Sequence, residues 1–138
     1  MDGFLLLAIL IAVAGFAWGT YEAKIKGILG EKKVAAMLAR LPHNQYRVFN
    51  DVLIKGNYGM TQIDHVVLST HGIFVIETKN YKGWISGGEY SDFWTKNMYG
   101  KKFKFRNPLM QNYAHIKTLS EILCVPEDMF ISIVAFSS

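Results

Sequence analysis

Residues 62–79 read QIDHVVLSTHGIFVIETK, and this segment decides the fold. Its two halves, Ile63–Ser69 and Ile73–Thr78, are rich in Val, Ile and Phe, which favour β-strands. The sequence Ser-Thr-His-Gly between them is typical of a tight turn. The segment therefore predicts a β-hairpin that forms part of a sheet.

Two acids and a lysine interrupt this apolar hairpin. A turn centred on residues 70–71 places Asp64 opposite Glu77, whereas a turn centred on residues 71–72 places Asp64 opposite Lys79. In either register the three side chains share one sheet face, because side chains alternate along a strand and cross-strand partners share a face. Their neighbours on that face are apolar, so unpaired charges there would be costly, and a divalent cation would compensate the acids. Structural ion pairing on a solvated face is the alternative.

The N-terminal segment is a candidate membrane anchor. The run Phe4–Trp18 is apolar throughout, and no charge occurs between Asp2 and Glu22. Its length is near the lower limit of the roughly 17 to 25 residues that a membrane helix needs. We predict an uncleaved transmembrane anchor over residues 1–21. A cleaved signal peptide is less favoured because its first residues should be basic, and a core helix because an all-apolar terminal helix has little to pack against.

Charge predicts the orientation of this anchor. Lysines follow the apolar run at positions 24, 26, 32 and 33, so the positive-inside rule places the next domain, residues 22–138, in the cytoplasm of a single-pass cell-membrane protein. The lone cysteine, Cys124, excludes a disulfide within the chain and agrees with a reducing compartment. We interpret Cys124 as a small core residue. The formal net charge of +4 permits a polyanionic partner without requiring one.

The remaining pattern predicts an α/β domain. Apolar residues at three- and four-residue spacing indicate a helix over Ile25–Leu41 that continues from the anchor, with kinks expected at Gly19, Gly27 and Gly30. Further elements are predicted as strand 46–54, short strand 83–88, hairpin 94–105, a helix from Pro108, and strand 130–136. The second helix should bury one apolar face, formed by Leu109, Tyr113, Ile116, Leu119, Ile122 and Leu123. This order predicts a mixed sheet flanked by helices, and one more strand or helix after Ser138 would fit it.

These residues resemble the NERD (nuclease-related) domain, a branch of the PD-(D/E)XK nuclease superfamily. The resemblance covers roughly Gly27–Phe136. It depends on five elements in the right order: Gly30-Glu31, Gln62-Ile63-Asp64-His65, the segment Gly72–Asn80, Tyr81-Lys82-Gly83, and Asn107-Pro108-Leu109-Met110-Gln111. It implies a restriction-endonuclease-like fold. One departure is Ile63, which stands where the superfamily pattern has a proline before the aspartate.

The resemblance also implies a catalytic centre. By similarity, the catalytic residues are Asp64, Glu77, Lys79, Glu31 and Gln111. We expect Asp64, Glu77 and the backbone carbonyl of Thr78 to hold Mg²⁺ or Mn²⁺, because hard cations prefer oxygen ligands. Lys79 would orient or deprotonate the attacking water, and the amides of Gln111 and Gln62 would position water or phosphate.

A second candidate surface is a basic and aromatic segment near residue 100. Its cations are Lys96, Lys101, Lys102, Lys104 and Arg106, interleaved with Trp94, Tyr99, Phe103 and Phe105. Alternation along residues 102–106 places positive charge on one strand face and aromatic rings on the other. The basic residues, together with Gln62, are expected to bind nucleic acid. An exposed edge strand protected by lysines is the alternative.

The resulting hypothesis is a membrane-anchored, Mg²⁺- or Mn²⁺-dependent nuclease that hydrolyses phosphodiester bonds of DNA or RNA, with DNA favoured. The clustered acids support it, because a purely binding domain has no need of them. A non-catalytic nucleic-acid-binding module that keeps the fold is the alternative, and a domain that binds anionic lipid is a third interpretation. His65 is expected to pack on the face opposite Asp64, and the histidines at 43, 71 and 115 lack metal-ligand spacing.

Overall fold

The structure, a computed structural model, describes residues 3–137. These residues form two α-helices and seven β-strands in an α/β arrangement, which confirms the predicted fold class. In chain order the elements are α1 (Gly3–Leu38), β1 (Tyr46–Gly56), β2 (Gly59–Ser69), β3 (Gly72–Lys79), β4 (Trp84–Ser86), β5 (Phe93–Met98), β6 (Lys101–Arg106), α2 (Pro108–Leu123), a 3₁₀ turn (Glu127–Met129) and β7 (Phe130–Phe136).

The main sheet is mixed, with strand order β1-β2-β3-β7. Strands β1, β2 and β3 pair antiparallel through short turns, and β7 pairs parallel with β3. A parallel neighbour requires a crossover connection, and α2 is part of that connection here. Strands β4, β5 and β6 form a separate antiparallel sheet inside the crossover.

The β2–β3 hairpin adopts the first of the two predicted registers. Ser69 pairs with Gly72, so the turn is centred on residues 70–71 and the count places Asp64 across from Glu77. Gly72 has a φ of 133°, a conformation that disfavours side chains, and a Cβ there would lie 2.9 Å from the carbonyl oxygen of Met129. The turn is thus fixed by both backbone conformation and close packing.

Each face of the main sheet carries its own apolar cluster. One cluster lies between the sheet and α2 and contains Ile63, Val66, Val75, Ile116, Leu119 and Phe130. The other lies between the sheet and the end of α1 and contains Val34, Val67 and Ile76, with Leu38 packed against it. The sheet is therefore covered by a helix on both faces, as α/β architecture requires.

Helix α1 is much longer than its packed part. It runs for 36 residues without a break, and its buried residues are Gly30 and Val34. The expected kinks at Gly19, Gly27 and Gly30 do not interrupt it. At Gly30 the reason for a glycine is packing, because a Cβ would lie 2.7 Å from both Asn80 Cβ and Ser137 Oγ. Residues 4–18 are exposed along their whole length, and α1 is long and apolar enough to be a candidate membrane span.

Helix α2 differs from its predicted face. Asn107 caps its first turn by accepting from the backbone N–H of Leu109 at 2.9 Å, and Pro108 follows at the first helical position. The buried residues are Pro108, Asn112, His115, Ile116 and Leu119, whereas Tyr113, Ile122 and Leu123 are about half exposed. The prediction for Cys124 was also wrong: this residue is exposed and ends the helix in the left-handed conformation.

Candidate active site

The candidate site forms where β2 separates from β3. Backbone pairing between these strands runs from Ser69–Gly72 to His65–Ile76. Beyond that point the backbone N–H of Thr78 donates to Oδ2 of Asp64 at 2.7 Å. By the register this donor would face the backbone of Ile63, so the Asp64 carboxylate takes the place of a ladder carbonyl.

Strand β2 is distorted at Asp64. Ile63 and Val66 both pack under α2, although strict alternation would put them on opposite faces. The ladder with β1 passes from Asn50–His65 to Val52–Ile63, and Asp51, which faces Asp64 by count, has a φ of 52°. The distortion explains how the Asp64 side chain can reach sideways to the backbone of β3.

Glu77 and Lys79 lie on the face covered by α2. Lys79 Nζ donates to Glu77 Oε1 at 2.7 Å and to Gln111 Oε1 at 3.1 Å. Glu77 is 3 % exposed. The structure therefore brings together three of the five predicted catalytic side chains by direct contact, with Gln111 contributed by the first turns of α2.

Sequence reasoning missed His115, which is the second α2 residue at this site. Its Nε2 lies 3.5 Å from Glu77 Oε2, and its Nδ1 lies 3.4 Å from Thr61 Oγ1. The ring is buried. Residues four apart lie on one helix face, so the spacing from Gln111 to His115 was the available signal. Metal-ligand spacing among the histidines is not a signal for a histidine that contacts an acid.

The two acids have opposite electrostatic environments. Burial raises the pKa of Asp64, and the nearby negative charge of Glu77 adds to that rise, although the Thr78 hydrogen bond opposes it. For Glu77, burial also acts to raise the pKa, but contacts with His115 and Lys79 outweigh it and hold the pKa below its ordinary value. Glu77 is thus the stabilised carboxylate, and Asp64 the one whose charge is under-compensated.

Glu31 is brought towards this site by α1. Burial raises its pKa, and so do the negative charges of Asp64, Asp51 and Glu77, while Lys79 opposes the rise. Gln62 lies nearby, where its Nε2 donates to Asp51 Oδ1 at 3.2 Å. These interactions place Glu31 in the same electrostatic field as the other acids, on the side of the sheet that faces α1.

The oxygen atoms here suit a hard divalent cation such as Mg²⁺ or Mn²⁺ better than a softer ion such as Zn²⁺ or Cu²⁺. Within residues 3–137, no three His, Cys, Asp or Glu side chains are grouped so as to hold a metal ion by themselves. However, Mg²⁺ commonly binds through one or two carboxylates with water completing its shell. Glu77 Oε2 is buried and makes no well-formed hydrogen bond among the described residues; its contact with His115 Nε2 is 3.5 Å, which is long for a hydrogen bond but close enough to lower the pKa of Glu77. The Thr78 carbonyl points to the same strand edge as its N–H, towards Asp64.

The predicted nucleic-acid-binding lysines do not form one surface. Strand pairing sets Lys96 opposite Phe103, and Lys96 Nζ lies 4.5 Å from the Tyr81 ring centroid and 5.5 Å from that of Phe103. By alternation Lys101 shares that aromatic face. The other face of β6 carries Lys102, Lys104 and Arg106. The small sheet therefore presents two cations on its aromatic face and three on the opposite one.

His65 occupies the other face of the sheet, as expected. It is buried, and its Nδ1 lies 2.8 Å from Asn50 Oδ1. Burial lowers its pKa. It lines a smaller cavity under α1 together with Glu31, Asp51 and Gln62. His65 is accordingly a packed residue behind the site.

Comparison with known proteins identifies the family. The sequence profile of NERD, the nuclease-related domain, matches residues 26–137. The chain belongs to the NERD family. This confirms the resemblance found in the sequence, and the domain is nuclease-related.

Two further similarities are weaker guides. An uncharacterised protein of Bacillus anthracis is 43% identical over 120 residues, which cover 86% of this chain and 56% of the relative. The NERD chain described here thus spans about half the length of that relative. A crystal structure of a protein of unknown function, AF1548, is 14% identical over 82% of this chain and 49% of its own, with a TM-score of 0.41.

Proposed function

We propose that this NERD protein is a membrane-anchored, metal-dependent nuclease that hydrolyses phosphodiester bonds. One observation carries the proposal: Asp64, Glu77 and Lys79 gather where two strands part, with Lys79 Nζ 2.7 Å from Glu77. Family membership supports a nuclease-related role. Asp64 is a partly buried acid with a raised pKa, and it lies in the same site as Lys79, a combination that favours a catalytic centre.

The proposed metal ligands are Asp64, Glu77 and the Thr78 carbonyl, with Mg²⁺ or Mn²⁺ as the ion. Such an ion, when bound, supplies Lewis acidity that polarises a phosphoryl oxygen and lowers the pKa of water. Glu77 Oε2 is buried, and its contact with His115 Nε2 is long at 3.5 Å, so we propose the cation as its closer partner. The Glu31 carboxylate interacts electrostatically with Asp64, so it would modulate the affinity of the site for the same ion.

Lys79 has the central role among the protein groups. Its ammonium is held by Glu77 on one side and by the Gln111 amide oxygen on the other. A cation fixed at that point would orient the attacking water and offset negative charge that builds on the phosphoryl oxygens. Gln111 is then a positioning residue for Lys79, and the Gln111 amide N–H groups remain directed to water or phosphate.

A cleavage assay tests the proposal. The full chain in detergent is incubated with labelled DNA and RNA of the same sequence, with Mg²⁺, with Mn²⁺ or with EDTA. We expect metal-dependent cleavage that is lost in Asp64→Ala and Lys79→Ala. Asp128→Ala, which alters an exposed acid in the 3₁₀ turn, is the matched control and should cut like the natural chain. The comparison of DNA with RNA also tests the predicted preference for DNA.

The alternative, a non-catalytic nucleic-acid-binding module, has one observation in its favour. Glu77 is already compensated by Lys79 at 2.7 Å, so this acid is stable without a cation. If the chain binds nucleic acid, never cuts it with either metal, and binds equally well as Asp64→Ala, the binding module is correct and the nuclease proposal fails.

Membrane attachment is proposed for the exposed apolar part of α1. Residues 4–18 contact solvent along their full length, which is costly for a helix outside a bilayer. The lysines after this stretch favour a cytoplasmic domain. The single exposed cysteine, Cys124, gives a direct test, because a membrane-impermeant maleimide should label it in inside-out vesicles but not in right-side-out ones. Labelling only in right-side-out vesicles would reverse the orientation.

A further inference from the structure

A large groove opens beside the candidate site. Its volume is about 1020 Å³, and it lies between the β1–β2 turn, the small sheet and α2. The lining residues that matter here are Tyr58, Phe93, Arg106, Gln111, His115 and Lys117. Its volume is at the upper end of the range for ligand-binding pockets.

The groove is continuous with the site. Gln111 and His115 line it, and the same two side chains contact Lys79 and Glu77. A chain that lies in the groove would therefore pass beside the two α2 side chains that contact Lys79 and Glu77.

Two exposed aromatic rings stand on different walls of the groove. Tyr58, at the β1–β2 turn, is fully exposed, and Phe93, at the start of β5, is 55 % exposed. The turn that carries Tyr58 is fixed to α2, because Asn57 Nδ2 donates to Glu121 Oε2 at 3.2 Å. Gly56 also packs closely there, since a Cβ would lie 2.8 Å from Thr118 Cγ2. The Tyr58 ring is therefore carried by a turn whose position is fixed by its contacts with α2.

The charge along the groove favours an anion at one end. Arg106 lines it, and by alternation Lys102 and Lys104 extend the same face of β6 away from it. Lys117 lines the α2 wall, while Asp92 and Glu121 contribute negative charge. The opposite charges within the groove leave its interior near neutral. Outside it, the cations on one face of β6 form a positive surface, and a phosphate chain that leaves the groove would follow that surface.

We propose that this groove binds a single-stranded segment of nucleic acid, with bases stacked on Tyr58 and Phe93 and a phosphate held by Arg106. Exposed rings can stack only on bases whose faces are uncovered, and in a duplex those faces are covered by neighbouring base pairs. The proposal rests on the proposed nuclease function and names its substrate class as unpaired strands, frayed ends or loops.

Binding measured without cleavage tests this inference. The full chain in detergent is titrated, in EDTA, against a fluorescent oligothymidylate and against a duplex of equal length, and anisotropy is recorded. We expect tighter binding of the single strand, and a loss of about fivefold or more for each of Tyr58→Ala and Phe93→Ala. Tyr90→Ala is the matched control, because Tyr90 is 87 % exposed in the loop before β5 and is not among the groove's lining residues. Arg106→Ala should lower the salt dependence of log K by about 0.7.

The outcomes separate this inference from the nuclease proposal. Equal or tighter duplex binding, or Tyr58→Ala and Phe93→Ala binding as well as Tyr90→Ala, would overturn the groove assignment even if the protein cuts DNA. Ring-dependent single-strand binding supports the assignment even if no condition yields cleavage, in which case the nuclease proposal alone fails. The thermal unfolding temperature of each variant should match that of the natural chain, because the rings are exposed. This control shows that a loss of binding is not caused by a loss of folded protein.

Discussion

The two halves of β3 have opposite environments although they form one continuous strand. Residues 73–76 pair with β2 on one side and β7 on the other, and Val75 and Ile76 are buried in the two apolar clusters. Residues 77–79 still pair with β7, but on the other side the Asp64 carboxylate has replaced the backbone of β2. The loss of one neighbour changes a core strand into a strand that presents charged groups.

The difference teaches how a sheet can hold buried charge. Where the ladder is complete, the backbone groups of the paired strands satisfy one another and need no side-chain partner. Where β2 departs, the Thr78 N–H needs another acceptor, and a carboxylate supplies it. Stability is therefore expected to depend on the first half of β3 and activity on the second half, and mutations can test that division.

The largest expected effect is on activity, from Asp64→Asn. The amide oxygen can still accept from Thr78, but it removes a charge that burial and Glu77 both disfavour. We expect cleavage to fall by about 10²- to 10³-fold while the free energy of unfolding stays equal or rises. Single-turnover cleavage and urea denaturation measure the two quantities. A marked loss of stability would show that Asp64 is mainly structural and would break the proposed division.

Lys79→Met should reduce both activity and stability. It leaves Glu77 buried without its 2.7 Å partner, and the expected loss is about 2–3 kcal/mol, below the value for a fully buried pair because Lys79 is partly exposed. The double variant Glu77→Gln with Lys79→Met should recover most of that stability, since the stranded charge is gone. Urea denaturation of four proteins forms a double-mutant cycle: the natural chain, Glu77→Gln, Lys79→Met and the double variant. Additive losses would argue against coupling of the two side chains.

Val75→Ala tests the apolar half of β3. Val75 is fully buried between the sheet and α2, so we expect a loss of about 2 kcal/mol in the free energy of unfolding. Cleavage per folded molecule should change little, because the side chain touches none of the reacting groups. Leu68→Ala, at a position that is 37 % exposed, is the milder control. A loss of activity without a loss of stability would contradict the division.

His115 should act on Glu77 rather than on substrate. In His115→Phe the ring remains but its nitrogen contact with Glu77 Oε2 is lost, and we expect Mn²⁺ to bind about tenfold more weakly. His115→Gln can return a donor near the same point and should recover part of the affinity. Calorimetric titration with Mn²⁺ measures this affinity in the natural chain and in both variants. Equal Mn²⁺ affinity in all three proteins would reduce His115 to a packing residue.

Local patterns were sufficient to predict most of the fold. The hairpin at 62–79, its charged residues and the order of the elements follow from alternation and turn chemistry, which act over a few residues. The family followed from the same residues. The choice between the two hairpin registers needed the structure, because Ser69–Gly72 pairing depends on packing against Met129 as well as on the turn sequence.

Long-range contacts account for what the sequence did not predict. The buried face of α2 includes Asn112, whose Nδ2 donates to Val75 O and to Ser132 Oγ, both at 2.8 Å. A hydrophobic pattern counts such a residue as exposed and selects Tyr113 instead, because the partners come from β3 and β7. His115 was missed for the same reason. The division of the lysines on the small sheet likewise depends on strand pairing that turn signals do not specify.

The smallest expected effect is a difference in pH dependence between the two acids, measured in EDTA. Glu77 has a folded pKa below its ordinary 4.5, so its contribution to stability is present above that value and is lost as pH falls through the folded pKa. Asp64 has a folded pKa above its ordinary 3.8, so its favourable contribution exists below 3.8 and is lost as pH rises through the folded pKa.

Urea denaturation from pH 3 to 7 measures both effects. As pH rises, the free energy of unfolding of Asp64→Asn should increase relative to that of the natural chain, and as pH falls, the deficit of Glu77→Gln relative to the natural chain should shrink. Lys79, His115 and Glu31 face both acids, and His115 and Lys79 hold the pKa of Glu77 down, so removing either of these two should shrink the Glu77 effect. Parallel curves of unfolding free energy against pH for the two variants would mean that the site compensates both carboxylates equally. The proposed electrostatic difference between Asp64 and Glu77 would then be wrong.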